Sequence, residues 1–444
     1  MAGCSKSKFL DEKPRSDLFV PTTLEDFQLL LDNEGIMNET PVLGELSADN
    51  YYTTPNFWQT LNVKERNGYV WAPDIYQGEG NVGDWNLPYQ QVFTTNVVLE
   101  GLPKLKVTFN NEKQWKNVKG TALFFRAYAF YNLTQIFSPV YNEPTANEDL
   151  GIPLRLKPNI EDRIPRSSVK ETYDRIITDL TEAAQLLEDA FHQNNRNRPA
   201  RVTAHALLAR VYLSMRKYDK ALLYADSSLK RYNTLIDYNT LNPNSNRPFD
   251  RFFAEMIFNS RILSTTGLIK VSNFIYCLID TTLYESYHEN DLRKQLYFQA
   301  NPEGLPISKA SYNGTTSAFS GLATDEIYLI RAECFARQGN KDEALADLNT
   351  LMQMRWKKDL FEPITAQTAE DALNKILIER RKELPLRGLR WSDLRRFNKD
   401  GANITLTRVL NGSSYTLLPN SKLYVLPIPP DVIQLGGIEP NIRE

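Results

Sequence analysis

Between Lys375 and Lys399 the chain carries nine basic residues against three acidic ones, Glu379, Glu383 and Asp393. No other feature constrains the fold as tightly. The charges alternate in sign and are threaded through Leu384, Leu386, Leu389, Trp391, Leu394 and Phe397. A phosphate-binding surface needs its cations spread over one solvated face. Mixed with this much apolar surface, the arginines are expected to pack and pair with carboxylates inside a helical corner. A formal net charge of −2 over 444 residues adds no long-range attraction for nucleic acid. No nucleic-acid partner is expected.

Helical periodicity dominates elsewhere. Thr23 followed by Glu25 and Asp26 marks a helix start, with Phe27, Leu30 and Leu31 on one face. Trp115 to Ile136 reads as a long helix, and Ser168 to Leu187 as another, opened by a Ser168–Glu171 capping box. Two later segments repeat each other: Ala209-x-x-Tyr212 before Ala221, and Ala332-x-x-Phe335 before Ala344. Each pair of alanines brackets a turn, and small residues there let antiparallel helices approach closely, as in tetratricopeptide units. The predicted fold class is all-α: tetratricopeptide-like helix pairs at about 115–190, 202–231 and 323–356, with long irregular loop regions. No apolar run is long enough to span a membrane.

Those irregular regions, about 40–90 and 235–322, carry the binding signal. Nine aromatics fall between Tyr51 and Tyr89, where composition predicts about four. Six more fall between Phe274 and Phe298. A sugar ring lays its C–H face on an aromatic ring, and its hydroxyls take amides and carboxylates nearby. The candidate ligand-binding residues are Trp58, Trp71, Tyr76, Trp85, Tyr276, Tyr284 and Tyr287, with Asn50 and Asn81 supplying amides. Aromatics in loops more often pin the loop to the core, so only some of these are expected to reach ligand.

Catalytic chemistry finds little support. Gly78 to Gly83 matches G-x-G-x-x-G, but Trp71-Ala72-Pro73-Asp74 upstream is no hydrophobic strand, and no βαβ pattern follows. The histidines, His192, His205 and His288, are scattered, and HExxH, CxxC and GxSxG are absent. No cofactor, metal site or catalytic residue is expected. A glycosidase carboxylate pair is not visible as a motif and stays an alternative, as does an intracellular helical-repeat scaffold. Cys277 and Cys334 read as buried helical thiols, with a bridge between them possible. Met1-Ala2-Gly3-Cys4 ends like a bacterial lipobox, followed by a polar tether.

The block Ile378-Glu379-Arg380-Arg381-Lys382-Glu383-Leu384, with Arg387-Gly388-Leu389-Arg390-Trp391-Ser392-Asp393-Leu394-Arg395-Arg396, closely resembles the SusD/RagB family of outer-membrane nutrient-binding lipoproteins. Similar matches run along the chain: Trp85 and Tyr89 leading to Asn96, Arg166-Ser167-Ser168-Val169, Asp325-Glu326-Ile327-Tyr328, and the tail Leu426-Pro427-Ile428-Pro429. Pro88 departs from the family pattern and is expected to disturb the first turn of its helix. The resemblance implies a tether over residues 1–8, lipidated at Cys4, and a single SusD-like helical domain over residues 9–444. It implies a cell-surface location on the outer membrane, with the lipid as the only membrane contact. It implies a SusC-like TonB-dependent transporter as partner and capture of an oligo- or polysaccharide without catalysis. A peptide-binding member of the same family is the alternative ligand class.

Overall fold

The computed structural model describes residues 21–443, apart from 190, 192–194, 264–267, 269–274, 310, 311 and 316. Cys4 and its tether lie outside the described residues. Helices of eight residues or more form the frame. They are α1 (Leu24–Leu31), α2 (Gly83–Gly101), α3 (Glu112–Phe137), α4 (Val169–Leu186) and α5 (Arg201–Ser214). The others are α6 (Tyr218–Leu229), α7 (Thr324–Arg337), α8 (Lys341–Gln353), α9 (Ala369–Glu383) and α10 (Arg390–Lys399).

Local chemistry sets their starts. Thr23 accepts the Asp26 amide at 3.1 Å, while Asp26 accepts the Thr23 amide at 2.9 Å. Ser168 and Glu171 cap α4 in the same reciprocal way. Helix α2 does not break at Pro88; it starts at Gly83 and runs through it. Proline there removes the donor to the Asp84 carbonyl and its ring crowds that carbonyl, yet the helix continues. The Asp84 carboxylate anchors this helix start by accepting the amides of Val42 and Leu43 at 2.7 and 2.8 Å.

Neighbouring helices run antiparallel. Along α2 and α3, Trp115 donates to the Leu102 carbonyl, Arg126 to Asn96, and Trp85 meets Phe137. Along α3 and α4, Gly120 lies against Leu187, Arg126 pairs with Asp179, and Gln135 donates to Tyr173. Short turns close the α5–α6 and α7–α8 hairpins, and Ala209, Ala221, Ala332 and Ala344 are fully buried at their seams. One apolar core extends from Leu24 to Ile438, with a smaller cluster between α7, α8 and α9.

The all-α expectation needs correction. Twelve short strands form five small sheets among the described residues. The longest pairing, Leu406–Leu410 with Ser413–Leu417, turns at Asn411-Gly412, both with positive φ. Asn-Gly tolerates that conformation and matches the twist of a tight hairpin. Cys277 is likewise not helical: it precedes a strand, Cys334 lies in α7, and both are buried free thiols.

The arginine-rich block lies inside. Arg380 donates to Asp393 at 2.9 Å, and Arg396 bridges Asp393 and Glu333. Arg293 bonds Asp291, Glu379 and Glu383, while Arg355 bonds Glu383 and Glu255. These charges hold α7, α9 and α10 in one corner and are not available to a phosphate backbone. The tail docks on the core: Leu426 and Ile428 are buried, and the Leu426 amide donates to Ile136 at 3.0 Å.

Candidate functional site

The two aromatic-rich regions meet through a small sheet. Strand β1 (Tyr51–Tyr52) pairs antiparallel with β2 (Leu278–Ile279), which continues to β4 (Pro306–Ser308) and β3 (Phe298–Ala300). The Asp280 amide adds a bond to the Asn50 carbonyl at 3.0 Å. Segments more than two hundred residues apart are thus fixed side by side.

Just beyond β1, Thr54 caps the short helix Pro55–Thr60 by accepting the Phe57 amide at 3.3 Å, with Pro55 preset in the first turn. This turn lays Phe57 on Tyr276, ring centroids 4.0 Å apart and planes 11° from parallel. Tyr276 keeps 40% of its surface exposed. Trp58, half-buried, donates its indole N–H to the Arg66 carbonyl at 3.1 Å and leans on Tyr415 at 6.4 Å. Asn56, Gln59 and Thr60 stand exposed around it. The result is an aromatic ledge with amide and hydroxyl groups at its edge, the pairing a sugar ring or an extended peptide requires.

The other nominated residues divide. Tyr284 is half-buried, edge-on to Phe298, with the Lys294 ammonium 4.7 Å over its ring. Asn81 is exposed on the loop before α2; its amide donates to Asp431, and its side chain accepts from Asn86 at 2.8 Å. That loop is the G-x-G-x-x-G segment, tied down by a carboxylate. The remaining five are core residues. Trp71 donates to the Ser47 carbonyl and lies under the Arg408 guanidinium at 4.7 Å. Tyr76 donates to Pro427 and Tyr287 to Lys382. Trp85 packs between Tyr89 and Phe137. Asn50 is 1% exposed. The four rings are packed, with Trp71, Tyr76 and Tyr287 donating to backbone carbonyls, and Asn50 is buried with its side-chain oxygen unpartnered, so these five do not form an open face.

Sequence reading missed Tyr415. The Asn411-Gly412 turn between alternating residues was the available signal, and it predicts the hairpin that brings Tyr415 to Trp58. Trp85 and Tyr89 also line a separate groove of about 490 Å³ with Arg155, Asp162, Arg163 and Asp431.

Known proteins share this architecture and sequence. Residues 8–213 match the family model described as starch-binding and associating with the outer membrane, and residues 308–436 match that of the SusD family. The chain belongs to the SusD/RagB family. Its relatives include SusD-like protein P2 of Formosa agariphila, 22% identical over 419 residues, covering 80% of this chain and 79% of that one. A putative sugar binding protein from Bacteroides vulgatus superposes with a TM-score of 0.76 at 20% identity, covering 95% of this chain and 98% of the other. A laminarin binding SusD-like protein superposes with a TM-score of 0.66 at 17% identity, over 94% and 98% of the two chains. This SusD/RagB chain therefore comes from a carbohydrate-binding, outer-membrane-associated family. No helix among its described residues is long and apolar enough to cross a membrane.

Proposed function

We propose that this SusD/RagB protein captures an oligo- or polysaccharide at the cell surface and hands it to a SusC-like TonB-dependent transporter. The observation that carries the reading is the Phe57–Tyr276 stack: a half-buried ring and a 40% exposed one at 4.0 Å, contributed by two distant loop regions, with half-buried Trp58 next in the chain. A flat stack of this kind suits the C–H face of a pyranose, and Asn56 and Gln59 suit its hydroxyls. The sugar-binding and laminarin-binding descriptions of its structural neighbours support the ligand class.

In this reading the protein binds without catalysis, Cys4 carries a lipid anchor, residues 9–444 act as one domain, and the helix hairpins are tetratricopeptide-like. Affinity electrophoresis against laminarin, starch and other polysaccharides tests it, with a peptide digest titrated by calorimetry alongside. Retardation by one glycan, lost in Tyr276→Ala, is the expected result. Heat from the peptides with no retardation by any glycan would replace the saccharide with a peptide ligand.

A further inference from the structure

Most buried arginines here face a carboxylate. Arg126 meets Asp179, Arg210 meets Glu326, and Arg387 meets Asp325. Arg166 and Arg395 do not. Arg166, 9% exposed, donates to the carbonyls of Gly151 (2.8 Å), Leu150 (2.8 Å), Glu439 (3.1 Å) and Phe137 (3.4 Å). Arg395, 4% exposed, donates to the carbonyls of Gln135 and Ser138. Carbonyls satisfy N–H groups but carry no unit charge; the exposed Glu439 carboxylate offsets the Arg166 charge only in part, and no carboxylate pairs with Arg395. Burial accordingly pushes both guanidiniums down to about 10. Arg408 and Arg443 are also held by carbonyls. The rings of Tyr69 and Trp71 cover Arg408, and Arg443 donates to Ala72, Pro73 and Leu423 away from this pair, so what sets Arg166 and Arg395 apart is that they share one pocket.

Both arginines line one pocket of about 380 Å³, bounded by the residues after α3, by α10 and by the C-terminal segment. A cavity of this size falls within the range of small-ligand sites. Val140, Leu150, Val425 and Ile442 give it apolar walls. Lys399 and Lys422, both exposed, stand at its mouth, and neither forms an ion pair among the described residues. Glu148, Asp149 and Glu439 also line it, but none is buried, and Asp149 is engaged by the Thr145 hydroxyl at 2.6 Å. Four basic side chains therefore line the pocket against three acidic ones, and the two that are buried are both arginines.

We propose that this pocket is a second ligand site, for a small carboxylate-bearing molecule such as a uronic acid unit. Arg166 and Arg395 supply the counter-charge, and Lys399 and Lys422 guard the entrance. A guanidinium presents five donors in a fork suited to carboxylate oxygens, and Arg395 gives only two of them to the protein. Apolar walls beside that fork suit the C–H face of a sugar ring and disfavour a bare inorganic anion.

Calorimetry with D-glucuronate at about 10 mM, and D-glucose as the neutral control, tests the site. Glucuronate is expected to bind, more weakly as salt is raised, and glucose not to bind. The double variant Lys399→Glu/Lys422→Glu, confined to exposed side chains, should lower the glucuronate affinity about tenfold or more. Arg395→Lys should lower it as well, whereas Tyr276→Ala should leave it unchanged, which separates this pocket from the aromatic ledge. Absence of heat from glucuronate, equal binding of glucose, or indifference to the charge reversal at the mouth would overturn the proposal.

Discussion

Arg396 on α10 grips Glu333 on α7 through a two-pronged ion pair, with both side chains buried. Glu333 also accepts from Arg337 at 2.8 Å, so one carboxylate joins a helix hairpin to the arginine-rich corner. Removing one partner of such a pair strands the other charge in the interior. Arg396→Met is expected to cost about 3–5 kcal/mol in urea unfolding, without changing ligand affinity of the folded fraction. Loss of affinity at unchanged stability would return this block to the list of binding elements.

The same pair predicts a limb of acid sensitivity. Burial alone would raise the Glu333 carboxyl, but Arg396, with Arg337 behind it, holds it at about 2. Asp49, half-buried, is held at about 2 by Arg390 and then Arg381. A folded-state value below the unfolded one gives stability that is present above about pH 4.5 and lost as pH falls toward 2. The urea midpoint should therefore drop steeply across that window, and less steeply in Arg396→Met.

Glu45 predicts the opposite sign. Burial raises its carboxyl to about 7, only partly offset by the Gly388 amide at 2.8 Å, and its other oxygen has no hydrogen-bond partner. A folded-state value above the unfolded one gives stability that is full below about pH 4.5 and lost as pH rises through 7. Glu45→Gln should flatten this dependence and stabilise the protein at pH 8 by at most about 3 kcal/mol, read from urea curves at both pH values.

Core and ledge aromatics should separate cleanly under mutation. Trp71→Ala removes a buried ring and its bond to Ser47, and is expected to cost about 3–5 kcal/mol. Tyr276→Ala trims a ring that is 40% exposed and should cost about 1 kcal/mol or less. Thermal melts of the two variants check this directly.

Much of the helical frame was legible because it rests on local chemistry. The Thr23 and Ser168 boxes, the stripe of α4 and the paired alanines of α5–α6 and α7–α8 are all short-range patterns. The interleaved charges near Arg380 announced burial because so much apolar surface came with them. The candidate site was legible only in outline. Composition located two aromatic regions, but it could not tell Trp71, under Arg408, from Trp58 at the surface. That difference is set by Arg408, more than three hundred residues along the chain. The hairpin that positions Arg408 and Tyr415 carried its Asn-Gly signal, yet helical periodicity elsewhere concealed it.

The most direct test of the account is affinity electrophoresis of the wild-type protein and a Phe57→Ala/Tyr276→Ala variant in gels containing laminarin, starch or other polysaccharides. Retardation of the wild type by at least one polysaccharide, abolished in the variant while its melting temperature stays within a few degrees, is the predicted result. Equal retardation of both proteins, or none for the wild type in any gel, would contradict glycan capture on the Phe57–Tyr276 ledge.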